Sequence, residues 1–294
     1  MPTTIPTTTS FTRPSSPTIG DAYFETDTRR FIIYKGSSVW NEFFYDTEYD
    51  TTFVSSQLAY PNGLFTSSDY TITTQPEIHF DATILDGSDA GSNPSSGSSV
   101  STWGNRSGKA TDYDATQATG SSQPTYTESN GEKYVNFDGG DVLDFTSYSL
   151  SGAFTMVAVC NTNVDANIMV PIGTNTSGQY IMWEYQGKMY GISGNVTDNT
   201  YGPHYNAIQQ FWATRNGSSV HKIYVQGGNE ILSVTTTASR PASRIGNLYT
   251  TLYHTGPIYE IIIWGSDLST TEKNTVRSYL NNKYSNLPTS TAFS

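Results

Sequence analysis

The sequence predicts an all-β protein: an antiparallel β-sandwich with one C-terminal helix, preceded by a small β-meander and an extended arm. Two observations lead to this prediction. The composition favours strands and turns, because the 294 residues include 21 Tyr and 25 Gly but only 14% charged residues. From Glu77 onward, short apolar or alternating stretches are also separated by turn signals about every 8–12 residues, as in antiparallel sandwiches.

The stretch YVNFDG shows the alternation expected of a half-buried strand. Tyr134, Asn136 and Asp138 should face one way, and Val135 and Phe137 the other. By contrast, FTMVAVC at 154–160 is a largely apolar run and predicts a fully buried strand. Its last residue, the single cysteine of the chain, is expected to be a small buried hydrophobe.

One helix is predicted near the C-terminal end of the sequence. Ser269 and Glu272 have the S-x-x-E spacing of a capping box. Val276, Tyr279 and Leu280 then follow at helical spacing, with Lys283 or Tyr284 completing the same face. We expect that face to pack on an edge of the sandwich.

The N-terminal part has a different character. Residues 1–16 are rich in Thr, Ser and Pro, which favours an extended arm. Three short strands are predicted at 21–25, 31–35 and 39–43, and a meander this small buries too little apolar surface to stand alone. Its apolar side chains must therefore be covered by the rest of the chain, a symmetry mate or a docking partner. They include Phe24, Phe31, Ile33, Trp40 and Phe43.

These patterns divide the chain into four segments. Residues 1–50 form the arm and meander, 51–76 a linker, 77–288 the sandwich domain, and 289–294 a tail. With a net charge of −11 and a pI of about 4.6, the chain should repel a nucleic-acid backbone. It has neither a run of about 18 apolar residues nor the features of a secretory signal, so we expect synthesis in the cytoplasm without membrane insertion.

The meander carries a more specific pattern. Gly20, Asp21, Tyr23 and Phe24 are followed by Thr26-Asp27-Thr28, and then by Tyr34, Gly36 and Trp40. This arrangement resembles a small module seen repeatedly in structural proteins of tailed bacteriophages, where it tends to precede an adhesive or decorative domain. The resemblance implies a device for virion attachment or oligomerisation.

The larger domain contains several short motifs that are specific as a set. They include H-F-D-A at 79–82, S-x-W-x-N-x-S-G at 101–108, V-N-F-D-G at 135–139 and G-x-I-Y-E-I-I-I-W at 256–264. With these motifs the domain resembles the concanavalin A-like lectin/laminin-G superfamily, in its LamG-like jelly-roll variant. The resemblance implies a two-sheet jelly roll whose concave face and end loops are available to ligands. It does not fix a function, because relatives include lectins, glycanases, adhesion modules and structural domains.

No pattern in the sequence favours catalysis. Glycanases of this superfamily carry E-x-D-x-x-E, which places paired carboxylates on one face, and that motif is absent. Glu184 and Glu260 are isolated, and Glu260 occupies a family position where we expect a structural role. We therefore predict a non-enzymatic protein with no cofactor. Of the acidic loops, the one with Asp138 and Asp141 best suits calcium, but such residues more often stabilise turns, and no metal site is predicted.

Glycan binding requires aromatic side chains on a solvated surface. Trp103, Trp212 and Trp264 fall in family strand positions and are expected in the core. The loop DNTYGPHYN and the stretch NLYTTLYHTG, which contains Tyr249, place Tyr and His between predicted strands, where binding residues are common. Packing at the loop bases is the alternative explanation. The predicted glycan-binding residues are Tyr201, His204, Tyr205, Tyr253 and His254.

These inferences predict a non-enzymatic virion structural protein of a tailed phage. It would be a capsid decoration or a fibre or knob protein that displays a lectin-like domain. The expected partners are other capsid or tail proteins, two further copies in a homotrimer, and cell-surface polysaccharide. The alternatives are a tail-fibre adhesin that binds the receptor, a free carbohydrate-binding module or glycanase, and a structural cement protein without a ligand.

Overall fold

The fold is known from a computed structural model. It describes residues 7–8, 22–25, 30–36, 39–44, 74–87, 93–107, 113–161, 168–176, 181–185, 188–191, 197–198, 207–249 and 251–294. Side chains are described from residue 74 onward, except those of 168, 183–185, 188–191 and 197–198, where the backbone alone is described. The chain divides into two compact units, Met1–Ala59 and Tyr60–Ser294.

The first unit contains a four-stranded sheet in chain order. Its strands are β1 (Thr7–Thr8), β2 (Ala22–Glu25), β3 (Arg30–Gly36) and β4 (Val39–Phe44). Strands β2 to β4 form the predicted antiparallel meander, within one or two residues of the predicted bounds. The arm contributes β1, which pairs in parallel with β2, so part of the predicted arm belongs to the sheet.

The second unit contains nineteen strands and one α-helix among its described residues. The first seven strands are β5 (Ile78–Asp81), β6 (Thr102–Trp103), β7 (Ala115–Thr116), β8 (Thr125–Ser129), β9 (Glu132–Asp138), β10 (Leu143–Leu150) and β11 (Phe154–Cys160). The next five are β12 (Ile168–Met169), β13 (Ile172–Gly173), β14 (Met182–Tyr185), β15 (Lys188–Gly191) and β16 (Thr197–Asp198). The last seven are β17 (Gln209–Arg215), β18 (Val220–Val225), β19 (Asn229–Thr235), β20 (Arg240–Ile245), β21 (Asn247–Leu248), β22 (Leu252–Tyr253) and β23 (Thr255–Trp264). A 3₁₀ turn spans Gly120–Ser122, and helix α1 spans Thr270–Lys283.

Two sheets form the sandwich, which confirms the predicted all-β class. The larger has the order β19-β18-β17-β11-β23-β9-β8, with β5 also pairing with β23, and the smaller has the order β13-β20-β10-β7-β6. Strands β12, β14, β15 and β16 form a separate antiparallel sheet, and β21 pairs with β22. The Asn130-Gly131 turn between β8 and β9 has φ of 53° and 81°, the left-handed conformation that such hairpin turns require.

The main core lies between the two sheets. Phe80 and Met156 from the larger sheet meet Trp103, Leu143 and Ile245 from the smaller one, all without solvent exposure. In β9, Val135 and Phe137 are buried, while Tyr134 and Asn136 are only partly covered and Asp138 is exposed, as the alternation predicted. Strand β11 is buried at every residue, including Cys160, which confirms the prediction from its apolar run.

Helix α1 begins with the predicted capping box, in which Ser269 and Glu272 bond reciprocally. Its apolar side packs on the outer face of the larger sheet, where Val276 and Leu280 join Trp212, Ile262 and other residues in a second core cluster. The expectation that it packs on a sandwich edge is therefore wrong. The reason is that β11, β17 and β23 also place apolar residues on the outer face, among them Val157, Trp212 and Ile262, so that face needs a cover as well.

The segment after α1 also packs against the sandwich, although 289–294 was predicted as a tail. The Thr291 amide donates to the Gln226 carbonyl at 2.9 Å. The ring of Phe293 is 6% exposed and meets the Trp212 ring with centroids 4.9 Å apart. The domain therefore extends through this segment. Among the described residues, no helix is long and apolar enough to cross a membrane.

We expect Gly173→Ala to destabilise the domain. A methyl group at this position in β13 would overlap the backbone carbonyl of Asn247 at the start of β21, and backbone yields less readily than a flexible side chain. Overpacking of this kind costs about 1–3 kcal/mol, measurable by urea unfolding. Gly152→Ala is the control, since nothing lies within 4 Å of its added carbon, and it should change stability by less than about 0.5 kcal/mol. Equal stability of the two variants would contradict this close approach.

Candidate functional site

The predicted glycan-binding residues fall into two groups. Tyr201, His204 and Tyr205 lie outside the described residues. Tyr253 lies on β22 and is partly exposed, whereas His254, directly after it, has no solvent exposure. The ring of His254 accepts the Val170 amide through Nδ1 at 3.3 Å and packs against the Phe137 ring. Burial lowers its pKa to about 4. The structure thus places His254 in the interior rather than at a surface open to ligand.

The predicted attachment residues Phe24, Phe31, Ile33, Trp40 and Phe43 lie on β2, β3 and β4. The register pairs Phe31 with Phe24 on one neighbouring strand and with Phe43 on the other. The backbone therefore places these three residues in one row across the meander.

Sequence reasoning did not find a buried ionic cluster centred on Glu260. Strand β5 pairs with β23 so that Asp81 lies directly opposite Glu260. His79, two residues earlier on β5, is in reach of the same carboxylate, with Nε2 2.5 Å from Glu260 Oε1. All three side chains are fully buried. We call this the Glu260 cluster; it also includes Arg106 and, from the C-terminal end of the helix, Tyr279, Lys283 and Tyr284.

Each carboxylate oxygen of the cluster accepts from two donors. For Glu260, Oε1 accepts from His79 and from the Tyr279 hydroxyl at 2.9 Å, and Oε2 accepts from Lys283 and from the Tyr284 hydroxyl, both at 2.8 Å. For Asp81, Oδ1 accepts from the amide and hydroxyl of Thr83, and Oδ2 accepts from Arg106 and Lys283. The two carboxylates are thus fully engaged by neighbouring groups.

The charges within the cluster balance. Burial alone would raise the pKa of Glu260, but the Lys283 ammonium and the His79 hydrogen bond hold that pKa below its usual value. The pKa of Asp81 is likewise held well below its usual range by the Lys283 and Arg106 cations, which outweigh burial. Burial lowers the pKa of His79 despite the nearby Glu260. Two carboxylates therefore face two cations, and the imidazole is neutral.

This arrangement resembles a metal site only in its spacing. One ligand atom each from His79, Asp81 and Glu260 lie within 4.8 Å of one another. The Lys283 ammonium, however, is 2.7 Å from Asp81 Oδ2 and 2.8 Å from Glu260 Oε2, and so takes the place that a cation would need. The cluster joins the last turn of α1 to the sheet, which agrees with the structural role expected for Glu260.

The acidic loop that best suited calcium is held by its own carboxylates. Asp141 Oδ2 accepts the Asp138 amide at 2.9 Å, and Asp138 Oδ1 accepts the Gly140 amide at 2.8 Å. Such bonds to the local backbone are how Asp stabilises turns. Burial, with the neighbouring Asp138, raises the pKa of Asp141 to about 6.

Trp103, Trp212 and Trp264 are fully buried, as predicted. They therefore contribute to the cores and offer no stacking surface. Among the described residues, the exposed large hydrophobic side chain is Tyr249, at 40%. Tyr249 directly follows β21 and belongs to the aromatic stretch that the sequence analysis singled out.

Comparisons with known proteins give only distant similarities. The sequence matches no protein-family model and no curated protein. Trypanosoma rangeli sialidase aligns at 11% identity and a TM-score of 0.49, over 89% of this chain and 44% of the sialidase. A Ruminococcus gnavus IT-sialidase CBM40 domain bound to α2,3 sialyllactose aligns at 14% identity and a TM-score of 0.36, over 49% of this chain and 95% of that domain. The chain spans less than half the length of the sialidases that it matches, and similarities of this size say nothing about its ligand or activity.

Proposed function

We propose that this chain is a non-enzymatic structural protein of a tailed-phage virion, of the capsid-decoration or fibre type. In this proposal the unit Met1–Ala59 attaches the protein to other virion proteins. The unit Tyr60–Ser294 is the displayed domain, which contacts glycan on a host or environmental surface.

The observation that carries this proposal is the separate N-terminal unit. Its strands β2 to β4 include residues of the phage-like motif, and in phage structural proteins that motif tends to precede an adhesive or decorative domain. A unit this small buries only a modest share of its apolar surface on folding and is marginal alone, so apolar residues such as Phe31 and Phe43 suit contact with other chains. Homotrimerisation is the form of self-contact that we propose, by analogy with phage fibres and decoration proteins.

The non-enzymatic part of the proposal is supported by the structural use of four carboxylates, those of Asp81, Glu260, Asp138 and Asp141. A glycanase needs one acid and one base or nucleophile that reach substrate. Asp81 and Glu260 are instead enclosed and engaged by Lys283 and neighbouring donors, and Asp138 and Asp141 hold their own loop. These four carboxylates stabilise the fold.

The proposal is tested by the mass of the purified protein in solution. The full chain and a chain starting at Tyr60 are measured by light scattering, and circular dichroism checks that the shorter chain is folded. We expect a trimer for the full chain and a folded monomer for the shorter one. A full-length variant with Phe31 and Phe43 replaced by Ser should lose the trimer, whereas Thr7→Ser is a control at a position without an apolar side chain.

Two well-folded monomers would contradict the assembly role of the N-terminal unit. The chain would then be better described as a free carbohydrate-binding module, the alternative from the sequence analysis. Hydrolysis of glycan substrates by the full chain would contradict the non-enzymatic part independently of its mass.

A further inference from the structure

The outer face of the smaller sheet carries a hollow that none of the preceding functions uses. Strand β10 pairs with β20 so that Asp144 lies opposite Arg244 and Tyr148 opposite Ala242. Three residues of β10 thus face the single residue Ser243, which makes a large β-bulge. Bulges re-aim side chains and are over-represented next to functional sites.

A cavity of about 360 Å³ lies at this bulge. Its volume is near the lower end of the roughly 300–1,000 Å³ typical of small-molecule sites. Most of its lining is polar, with hydroxyl, amide, carboxylate and guanidinium groups. The polar lining residues are Asp144, Ser147, Thr174, Asn175, Thr176, Ser243 and Arg244.

The charged pair in this cavity is held in place and partly open to solvent. The Asp144 carboxylate is half exposed, and its Oδ1 lies 2.7 Å from Arg244 Nε. Arg244 Nη1 donates to Asn247 Oδ1 and to the Tyr249 carbonyl, both at 2.9 Å. Nη2 makes no hydrogen bond to any described residue. A fixed acceptor and a fixed donor are therefore available side by side.

The exposed aromatic residue Tyr249 is bonded through its backbone to two residues that line the cavity. The Tyr249 amide donates to the Thr174 carbonyl at 2.7 Å, and its own carbonyl binds Arg244. Its φ of 62° is uncommon for a residue other than Gly, Asn or Asp. Strained conformations of this kind persist only where the surroundings enforce them, and they cluster at ligand sites. These two backbone bonds fix the position of Tyr249 next to Thr174 and Arg244, which line the cavity.

We infer that this hollow is a saccharide-binding site for a neutral sugar. Adjacent sugar hydroxyls both donate and accept, which matches the neighbouring Asp144 carboxylate and Arg244 guanidinium. The Tyr249 ring offers an apolar surface for the C–H face of a sugar. The Asp144–Arg244 pair has no net charge, which favours a neutral ring over an acidic one. This inference rests on the glycan-contact part of the proposed function and names its site.

The test is an NMR titration of the full-length, ¹⁵N-labelled chain. The probes are the methyl glycosides of glucose, galactose, mannose and N-acetylglucosamine, with methyl galacturonide as the acidic comparison. We expect amide shifts at the cavity residues with at least one neutral glycoside. Asp144→Asn should weaken that binding about tenfold or more, because a charged hydrogen-bond acceptor is lost.

Tyr249→Asn is the second variant, since Asn tolerates the left-handed backbone, and it should weaken binding by a similar factor through loss of the ring. Glu230→Gln is the matched control: it neutralises an exposed acid paired with Lys222 on the other sheet and should leave binding unchanged. Spectra of the free variants that overlay outside the substituted region establish that both are folded.

The other outcomes separate this site from the wider proposal. Neutral glycoside binding that survives both variants, or that shifts amides elsewhere, overturns this site and leaves glycan contact standing. Stronger binding of the galacturonide overturns the ligand class. Failure of every probe to bind overturns the site together with the glycan-contact part, while the virion-attachment part is judged by the light-scattering result.

Discussion

Replacing Lys283 with Met should destabilise the sandwich domain by about 3–5 kcal/mol, the range for breaking a buried ion pair by removal of one partner. The ammonium binds Asp81 and Glu260 at 2.7 and 2.8 Å and is 17% exposed. Its removal leaves two fully buried carboxylates with Arg106 as the remaining cation of the cluster. The measurement is the free energy of unfolding in urea, for the full chain at pH 7.

The matched control is Lys222→Met. Lys222 also binds a carboxylate, with Nζ 2.6 Å from Glu230 Oε2, but both side chains are more than a third exposed. Exposed pairs contribute about 0–1 kcal/mol, so this variant should unfold almost as the wild type does. A Lys283→Met variant no less stable than Lys222→Met would show that the Glu260 cluster does not hold the helix to the sheet.

Acidification from pH 7 should destabilise the protein through its buried histidines. Burial lowers the pKa of His221 and of His254 to about 4, against about 6.5 in an unfolded chain. Between these values the unfolded state binds more protons, so the free energy of unfolding falls as pH falls. Each shift corresponds to roughly 3 kcal/mol at most. His79, whose pKa is also lowered, acts in the same direction.

Asp141 acts in the opposite direction. Its pKa is raised to about 6 in the folded state, against about 4 in an unfolded chain. Between these two values the folded state binds more protons than the unfolded state, so the contribution of Asp141 to the free energy of unfolding rises as the pH falls. Below about pH 4.5 the pH dependence of stability is dominated by Asp81 and Glu260, whose pKa values are lower in the folded than in the unfolded state. The stability that these two carboxylates contribute is lost as the pH falls through their folded-state pKa values. The net expectation is a loss of several kcal/mol between pH 7 and pH 4.

Urea unfolding at a series of pH values measures this profile. His221→Leu removes one buried group that titrates, and it should flatten the profile between pH 6.5 and 4 by about 3 kcal/mol or less. Lys273→Met, which removes one partner of the Lys273–Asp267 pair, is a control for a substitution that leaves every histidine in place. A wild-type profile that is flat from pH 7 to 4 would contradict the buried, neutral state of these imidazoles.

Local features of the fold could be predicted from the sequence because their causes are local. The capping box needs only Ser269 and Glu272, three residues apart, and the burial of Cys160 follows from its own apolar strand. The Glu260 cluster could not be predicted in this way. Asp81 lies 179 residues before Glu260 in the chain, and only the pairing of β5 with β23 places the two carboxylates together.

For the candidate ligand sites, too, contacts between residues distant in the sequence decided what could not be predicted. His254 was predicted at the surface because the residues around it in the sequence are typical of a loop. In the structure, the Phe137 ring packs against it and the Val170 amide donates to it, so that it is enclosed. The hollow beside Asp144 was missed because its bulge interrupts the alternation of β10, and because Arg244 belongs to another strand. Tyr249 had a usable signal as an aromatic residue in a polar stretch, but sequence alone does not separate an exposed Tyr from a packed one.

The position of β23 in the larger sheet has a consequence for how the protein is made. This strand pairs with β11 on one side and with both β9 and β5 on the other, although it is the last strand of the domain to be synthesised. Until it leaves the ribosome, its three neighbours present unpaired edges, and such edges promote aggregation. The sandwich must therefore assemble after β23 has emerged, and a nascent chain that stops before Thr255 would leave an insoluble product instead of a smaller sandwich.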